Sequence, residues 1–127
     1  MAIERKRFSW QVVWGYWIPL LSYMALIFYL SSQPLEELKL PEIWNIDKLL
    51  HVVEYGLLGF LWFRALKVSF ESTTNLYWLA FVLTLLYGIS DEIHQIFVPN
   101  RSSSIFDAIA DGIGGWLGVW LYRRLNI

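Results

Sequence analysis

Residues 8–35 read FSWQVVWGYWIPLLSYMALIFYLSSQPL, the longest stretch of the chain without an Asp, Glu, Lys or Arg. About 20 consecutive apolar residues are enough for a helix to cross the hydrocarbon core of a bilayer. The apolar part is longer than the roughly 7–15 residues of a signal-peptide core, and residues 30–33 offer no obvious small-residue cleavage site. The stretch therefore predicts a membrane-spanning helix that stays in the protein.

The composition of the whole chain agrees with a membrane location. Of its 127 residues, 57% are hydrophobic and 17% are charged, whereas soluble domains average about 25% charged residues. The net charge is −1 and there is no cysteine. These values exclude a disordered tail, a disulfide-stapled secreted module and a protein with a basic field for nucleic acid. We expect one all-α membrane domain that covers residues 1–127.

Further apolar stretches predict three more helices, which gives spans at about 12–30, 47–66, 76–97 and 105–122. The second and fourth carry ionisable residues, so hydropathy alone also fits helices that lie on the membrane surface. The cations favour four spans with the N-terminus and the C-terminus in the cytoplasm. In that arrangement seven cations lie inside and three outside: Arg5, Lys6, Arg7, Arg64, Lys67, Arg123 and Arg124 against Lys39, Lys48 and Arg101.

The ionisable residues of spans two, three and four lie toward the same predicted side of the membrane. On span two, Asp47, His51 and Glu54 share one helical stripe, and Asp107 and Asp111 are one turn apart on span four. Charged groups at this depth are costly in lipid and face the interior of a bundle. We therefore expect an outer polar pocket that binds a ligand through Asp47, Lys48, His51, Glu54, Tyr55, Asp91, Glu92, Gln95, Arg101, Asp107 and Asp111.

Small residues continue the stripe of carboxylates on span four. Gly114 and Gly118 follow Asp107 and Asp111 at helical spacing, and Gly115 lies beside them. Small residues in this pattern allow two membrane helices to approach closely. The pattern predicts that span four packs tightly against a neighbouring span.

Three interpretations of the polar residues stay open. The pocket would bind an amphiphilic ligand, such as a lipid-linked headgroup or the polar part of a glycopeptide, through its cations and carboxylates. Alternatively, the chain is a metal-dependent hydrolase or transferase acting on an envelope lipid, although the sequence requires no cofactor. In the third interpretation, the polar residues only join the helices. The candidate metal ligands are His51, Glu54, Glu92 and His94.

Four segments of the chain appear in the order found in a known family: DKLLHVVEYGLLG at 47–59, DEIHQ at 91–95, PNR at 99–101 and DAIADGIGG at 107–115. Together they resemble the VanZ-like family of small bacterial membrane proteins over roughly residues 12–122. One departure is Asp111, where the family often has Asn. The resemblance implies a cell-envelope protein in the bacterial cytoplasmic membrane, surrounded by membrane lipids. The family's namesake is associated with low-level resistance to teicoplanin; the resemblance supplies no reaction.

Overall fold

The structure, a computed structural model, describes residues 6–33, 44–71, 73–99 and 103–125, apart from the side chains of residues 44–47 and 73–74. Four long helical segments make up this part of the chain: α1 (Trp10–Ser31), α2 (Trp44–Ser69), α3 (Thr73–Ile96) and α4 (Ile105–Leu125). Each expected span coincides with one of these helices to within three residues. The all-helical class predicted from the sequence is confirmed.

Three of the helices are long and apolar enough to cross a membrane. They are Trp10–Ser31, Lys48–Ser69 and Asn75–Ile96, each 22 residues long. Their outward faces carry large apolar side chains, such as Val53 and Leu86, which are 62% and 55% exposed. Exposed apolar surface on this scale is what a lipid-facing bundle requires. Helix α4 is 21 residues long but is less apolar than these three. The cytoplasmic position of both termini stays a prediction.

Helix α1 contains one turn of π-helix at Val13–Trp17. The turn lies beside Pro19, which has no N–H to donate to the carbonyl oxygen of Gly15 four residues earlier. Arg64 of α2 donates from Nη1 to that carbonyl oxygen at 2.8 Å, and its guanidinium lies 4.0 Å from the centre of the Tyr16 ring. A cation from the neighbouring helix therefore satisfies the backbone group that the proline leaves without its helical donor.

Helices α2 and α4 approach until their backbones touch. A Cβ on Gly114 or on Gly118 would overlap the carbonyl group of Val52 or of Gly56, and a Cβ on Gly59 would lie 2.5 Å from the carbonyl oxygen of Gly115. Only glycine permits so close an approach. The prediction that the glycines of span four allow tight packing is confirmed. This contact fixes the register in which the carboxylates of α4 meet α2.

The helices run alternately up and down, so each end of the bundle collects two helix starts and two helix ends. At one end, which we name the polar end, Ser32 just after α1 contacts His94 in the last turn of α3. Lys48 near the start of α2 contacts Asp107 near the start of α4 at the same end. At the opposite, basic end, the amide of Lys6 donates to the carbonyl oxygen of Ser69 at 2.8 Å.

Apolar side chains fill the rest of the bundle in two clusters. One joins α2, α3 and α4 toward the basic end and contains Phe63, Leu66, Leu76, Tyr77, Ala80, Val119 and Tyr122. The other joins α1 to α2 and contains Leu20, Ile27, Tyr55, Leu58 and Ala65. Tyrosine hydroxyls also attach α1: Tyr23 donates to the carbonyl oxygen of Glu54 at 2.8 Å, and Tyr87 donates to that of Met24 at 2.6 Å.

Candidate functional site

A histidine and an aspartate form a buried polar contact at the polar end. Nδ1 of His51 lies 2.7 Å from Oδ1 of Asp111, and the two residues are 9% and 0% exposed. When Asp111 is ionised its carboxylate only accepts hydrogen bonds, and Nδ1 of His51 then carries the shared proton. The other ring nitrogen, Nε2, lies 3.9 Å from Oδ1 of Asp107. Asp111 therefore sets the orientation in which the imidazole presents Nε2.

The start of α4 meets the start of α2 through an ion pair. Nζ of Lys48 donates to Oδ1 of Asp107. The side chain of Lys48 is 23% exposed, whereas that of Asp107 is 7% exposed. The lysine thus reaches inward from the rim of the bundle, and the carboxylate that it meets belongs to the interior.

Glu92 of α3 presents one oxygen to the start of α4 and the other to the interior. Its Oε2 accepts from the amide of Ser104 at 3.2 Å and from the hydroxyl of Ser103 at 3.3 Å. Its Oε1 is buried and has no hydrogen-bond partner in the described part of the chain. The sequence by itself gives neither serine a role at the site. A capping signal exists for Ser104, whose hydroxyl accepts from the amide of Phe106 at the start of α4.

Three side chains from three helices come within ligand distance of one another. One ligand atom from each of His51, Glu92 and Asp107 lies within 4.8 Å of the other two. A neutral imidazole nitrogen and carboxylate oxygens are suitable ligands for a divalent metal ion. The same groups can also accept hydrogen bonds from hydroxyls and amines of an organic ligand.

Further polar residues of α3 line the same end of the bundle. Asp91 and Gln95 are 7% and 3% exposed, and Nε2 of Gln95 donates to the hydroxyl of Ser31 at 3.1 Å. The hydroxyl of Tyr55 is buried and has no hydrogen-bond partner among the described residues. Gly88 makes room for this group of side chains, because a Cβ there would lie 3.1 Å from Oδ2 of Asp111.

Not every candidate from the sequence joins these residues. His94 turns toward α1, where its Nε2 lies 2.8 Å from Oγ of Ser32 and its ring stacks on Phe28 at 4.6 Å. Glu54 is half-buried and is not part of the group of three ligand atoms. The structure therefore separates two of the four candidate metal ligands, His94 and Glu54, from the other two. Arg101 and the side chain of Asp47 lie outside the described residues.

The charges of the polar end do not balance among the described residues. Asp91, Glu92, Asp107 and Asp111 are all at least nine-tenths buried. Lys48 is the fixed cation that contacts one of them. Several carboxylates in a low-dielectric interior favour the binding of protons or cations. The arrangement is therefore suited to hold a positively charged group.

No curated protein and no solved structure matches the chain significantly. The sequence model of the VanZ/LLP1 family, however, matches residues 16–126. The match covers helices α2, α3 and α4 and most of α1, and with them every residue of the polar end described above. The chain is a multi-pass membrane protein and belongs to the VanZ/LLP1 family.

Proposed function

We propose that the protein acts in the bacterial cytoplasmic membrane and lowers sensitivity to teicoplanin-like glycopeptides. The polar end would bind a lipid-linked headgroup of the envelope or the polar part of the glycopeptide. The observation that carries this proposal is the convergence of His51, Glu92 and Asp107 from three helices inside a bundle whose outer surface is apolar. Family membership supports the link to glycopeptide resistance.

The distribution of cations supports an extracytoplasmic polar end. Lys6, Lys67 and Arg123 lie at the opposite end of the bundle, at the start of α1 and at the ends of α2 and α4. Lysine and arginine are enriched in cytoplasmic segments next to membrane helices. With the basic end in the cytoplasm, the polar end faces the compartment in which glycopeptides act.

The outward face of α4 supports a fourth membrane crossing. Asp107 and Asp111 turn inward, and the exposed residues from the start of the helix to its last turn are apolar. They are Ile105, Phe106, Ile109, Ile113, Trp116, Leu117, Trp120 and Leu121. The two carboxylates and the glycines lower the mean hydropathy of the helix without touching lipid. A membrane helix in a bundle needs only its lipid-facing side to be apolar.

Single cysteines test this topology, because the chain has none of its own. Phe97→Cys lies at the polar end and Leu125→Cys at the basic end, and the native side chains are 79% and 51% exposed. On intact cells, we expect a membrane-impermeant maleimide to label Phe97→Cys and to label Leu125→Cys only after lysis. Labelling of Leu125→Cys on intact cells would contradict the orientation.

The chemistry of the polar end suits a ligand with both anionic and hydrogen-bond donor groups. Lys48, at the rim, is suited to a phosphate or carboxylate, and Glu92 and Asp107 accept hydrogen bonds from hydroxyls or amines. Lipid-linked envelope precursors and lipoglycopeptides combine such groups with a chain that stays in the lipid. The ligand would therefore enter from the outer leaflet.

The functional test compares resistance with the amount of folded protein. In a glycopeptide-susceptible Gram-positive host, we expect the wild type to raise the minimum inhibitory concentration of teicoplanin and Lys48→Ala and Glu92→Gln to abolish that rise. His94→Gln is the matched control, because its ring contacts Ser32 and Phe28 instead. Resistance that falls only in proportion to folded protein would show that the polar residues merely join the helices.

Photo-crosslinking tests the place of binding. A photoreactive side chain replaces Leu50, in the same turn of α2 as Lys48, or Trp120, near the basic end; the native residues are 41% and 44% exposed. We expect a lipid-precursor or teicoplanin probe to crosslink at position 50 and not at position 120. Crosslinking confined to position 120 would contradict the proposal.

A further inference from the structure

We propose that the polar end holds one divalent metal ion, Zn²⁺ or Mn²⁺, through Nε2 of His51 and carboxylate oxygens of Glu92 and Asp107. One ligand atom of each of these residues lies within 4.8 Å of a ligand atom of each of the other two, and Nε2 of His51 lies 3.9 Å from Oδ1 of Asp107. Ligands at about 2.1 Å from a tetrahedral ion are about 3.4 Å apart, so each side chain needs to move by roughly 1 Å or less. The three residues come from α2, α3 and α4, so the ion would join three helices.

The contact between His51 and Asp111 is the first independent indication of a metal. Histidines that bind metals commonly donate their second ring N–H to a carboxylate, which fixes the tautomer and the orientation of the ring. Here Nδ1 lies 2.7 Å from Oδ1 of Asp111, the arrangement in which such a donation occurs, and Nε2 lies 3.9 Å from Oδ1 of Asp107. Asp111 is fully buried and does not belong to the group of three. Asp111 would therefore position the His51 ring without binding the metal ion itself.

The second indication is the buried oxygen of Glu92. This residue is 6% exposed, and its Oε1 has no hydrogen-bond partner in the described part of the chain. An ionised oxygen in the interior of a bundle is costly unless a cation or a donor meets it. Oε2 is held by Ser103 and Ser104 at the start of α4, so the carboxyl group is fixed in place. A metal ion would supply the partner that Oε1 needs.

The ligand set decides the kind of ion. One imidazole with two carboxylates suits Zn²⁺ or Mn²⁺, whereas Mg²⁺ and Ca²⁺ prefer oxygen ligands alone. The chain has no cysteine, so soft thiolate sites are excluded. Lys48 also donates to Asp107, and its position at the rim lets the ammonium group move toward solvent when the ion binds.

The experiment measures metal in the purified full-length protein in nanodiscs, without antibiotic, so that its result is separate from the proposed function. After incubation with Zn²⁺ or Mn²⁺ and gel filtration, we expect elemental analysis to find about one ion per chain. His51→Gln, Glu92→Gln and Asp107→Asn should lose it. His94→Gln is the control with the same chemical change at the other histidine, and it should keep the ion. Asp111→Asn should weaken binding by about 10–100-fold.

A measurement on the wild type keeps the test valid if a variant fails to fold. X-ray absorption of the Zn²⁺-loaded protein should show one imidazole nitrogen among oxygen ligands. A spectrum without imidazole would overturn the proposal. So would a wild type that binds neither Zn²⁺ nor Mn²⁺ saturably, or equal loss of metal in His51→Gln and His94→Gln. If the wild type binds the metal but does not raise the teicoplanin resistance of the host, the metal site stands and only the proposed function is contradicted.

Discussion

At the polar end of the bundle, Glu92 and Asp107 are buried between helices, whereas at the basic end Lys67 and Arg123 lie over aromatic rings near the surface. The distances to the ring centres are 5.6 Å for Lys67 above Tyr122 and 5.2 Å for Arg123 above Tyr77. A long cationic side chain can reach water from a helix end while its stem covers apolar surface. The short carboxylates of the polar end lie in the interior instead. The cations of the basic end are therefore placed so that water can solvate them. The carboxylates of the polar end are buried, and the packing of apolar side chains does not explain why charged residues lie there.

The largest predicted effect concerns the contact that sets the position of α4 at the polar end. In Gly114→Ala, the new Cβ would overlap the carbonyl group of Val52, which belongs to a helix and cannot turn aside. We expect a loss of more than about 3 kcal/mol in the free energy of unfolding, the upper end of overpacking effects, together with loss of the contact between His51 and Asp111. Unfolding in mixed micelles measures the change.

Gly15→Ala is the matched control for this substitution. A Cβ on Gly15 meets nothing within 4 Å, so the same chemical change should leave stability almost unaltered. Equal effects at the two positions would show that helix α4 is not held by close backbone approach.

A smaller loss of stability is expected when one cation is removed from either end of the bundle, and the losses at the two ends should differ. Lys48→Ala leaves the buried carboxylate of Asp107 without its ammonium partner, and we expect a loss of about 2 kcal/mol. Arg123→Ala removes an exposed guanidinium from the ring of Tyr77 and should cost less than about 1 kcal/mol. Thermal unfolding of the two variants side by side tests the contrast. If Arg123→Ala destabilises the protein as much as Lys48→Ala, the two ends do not differ as described.

The last prediction concerns Arg64, whose guanidinium donates to a backbone carbonyl group and contacts none of the carboxylates of the polar end described above. Arg64→Met leaves the carbonyl oxygen of Gly15 without the donor that replaces the missing N–H of Pro19, and we expect a loss of about 1 kcal/mol. Pro19→Ala supplies an N–H, so Arg64→Met should cost less than half as much in that background. A double-mutant cycle measured by thermal unfolding gives the coupling. Additive effects would contradict this explanation of the arginine.

Much of the fold follows from local sequence. Charge-free stretches predict α1 and most of α3, and shorter apolar stretches together with the placement of the cations predict α2 and α4; all four predicted spans agree with the helices to within three residues. The spacing of Gly114 and Gly118 also predicts close packing of α4, because a row of small residues has one structural use in a membrane helix. Neither inference needs any knowledge of which helices are neighbours.

The candidate site was accessible from the sequence only as a set of polar residues at one end. Helical spacing puts His51 and Asp111 on inward faces, but spacing within one helix contains no information about the rotation of the next. The metal candidates show the consequence: His94 is two residues after Glu92 in the sequence, yet it points to α1 and contacts Ser32. Ser103 and Ser104 could be recognised as a helix start but not as donors to Glu92.

The sequence alone therefore determined that the chain enters a membrane, that it is helical, and that its acids gather at one end, because these properties depend on hydropathy and on the helical repeat. Only the tertiary structure decided which side chains meet. The glycine contact between α2 and α4 sets the rotation and height at which Asp107 and Asp111 face Lys48 and His51. The packing of α3 then brings Glu92, rather than His94, to the same place.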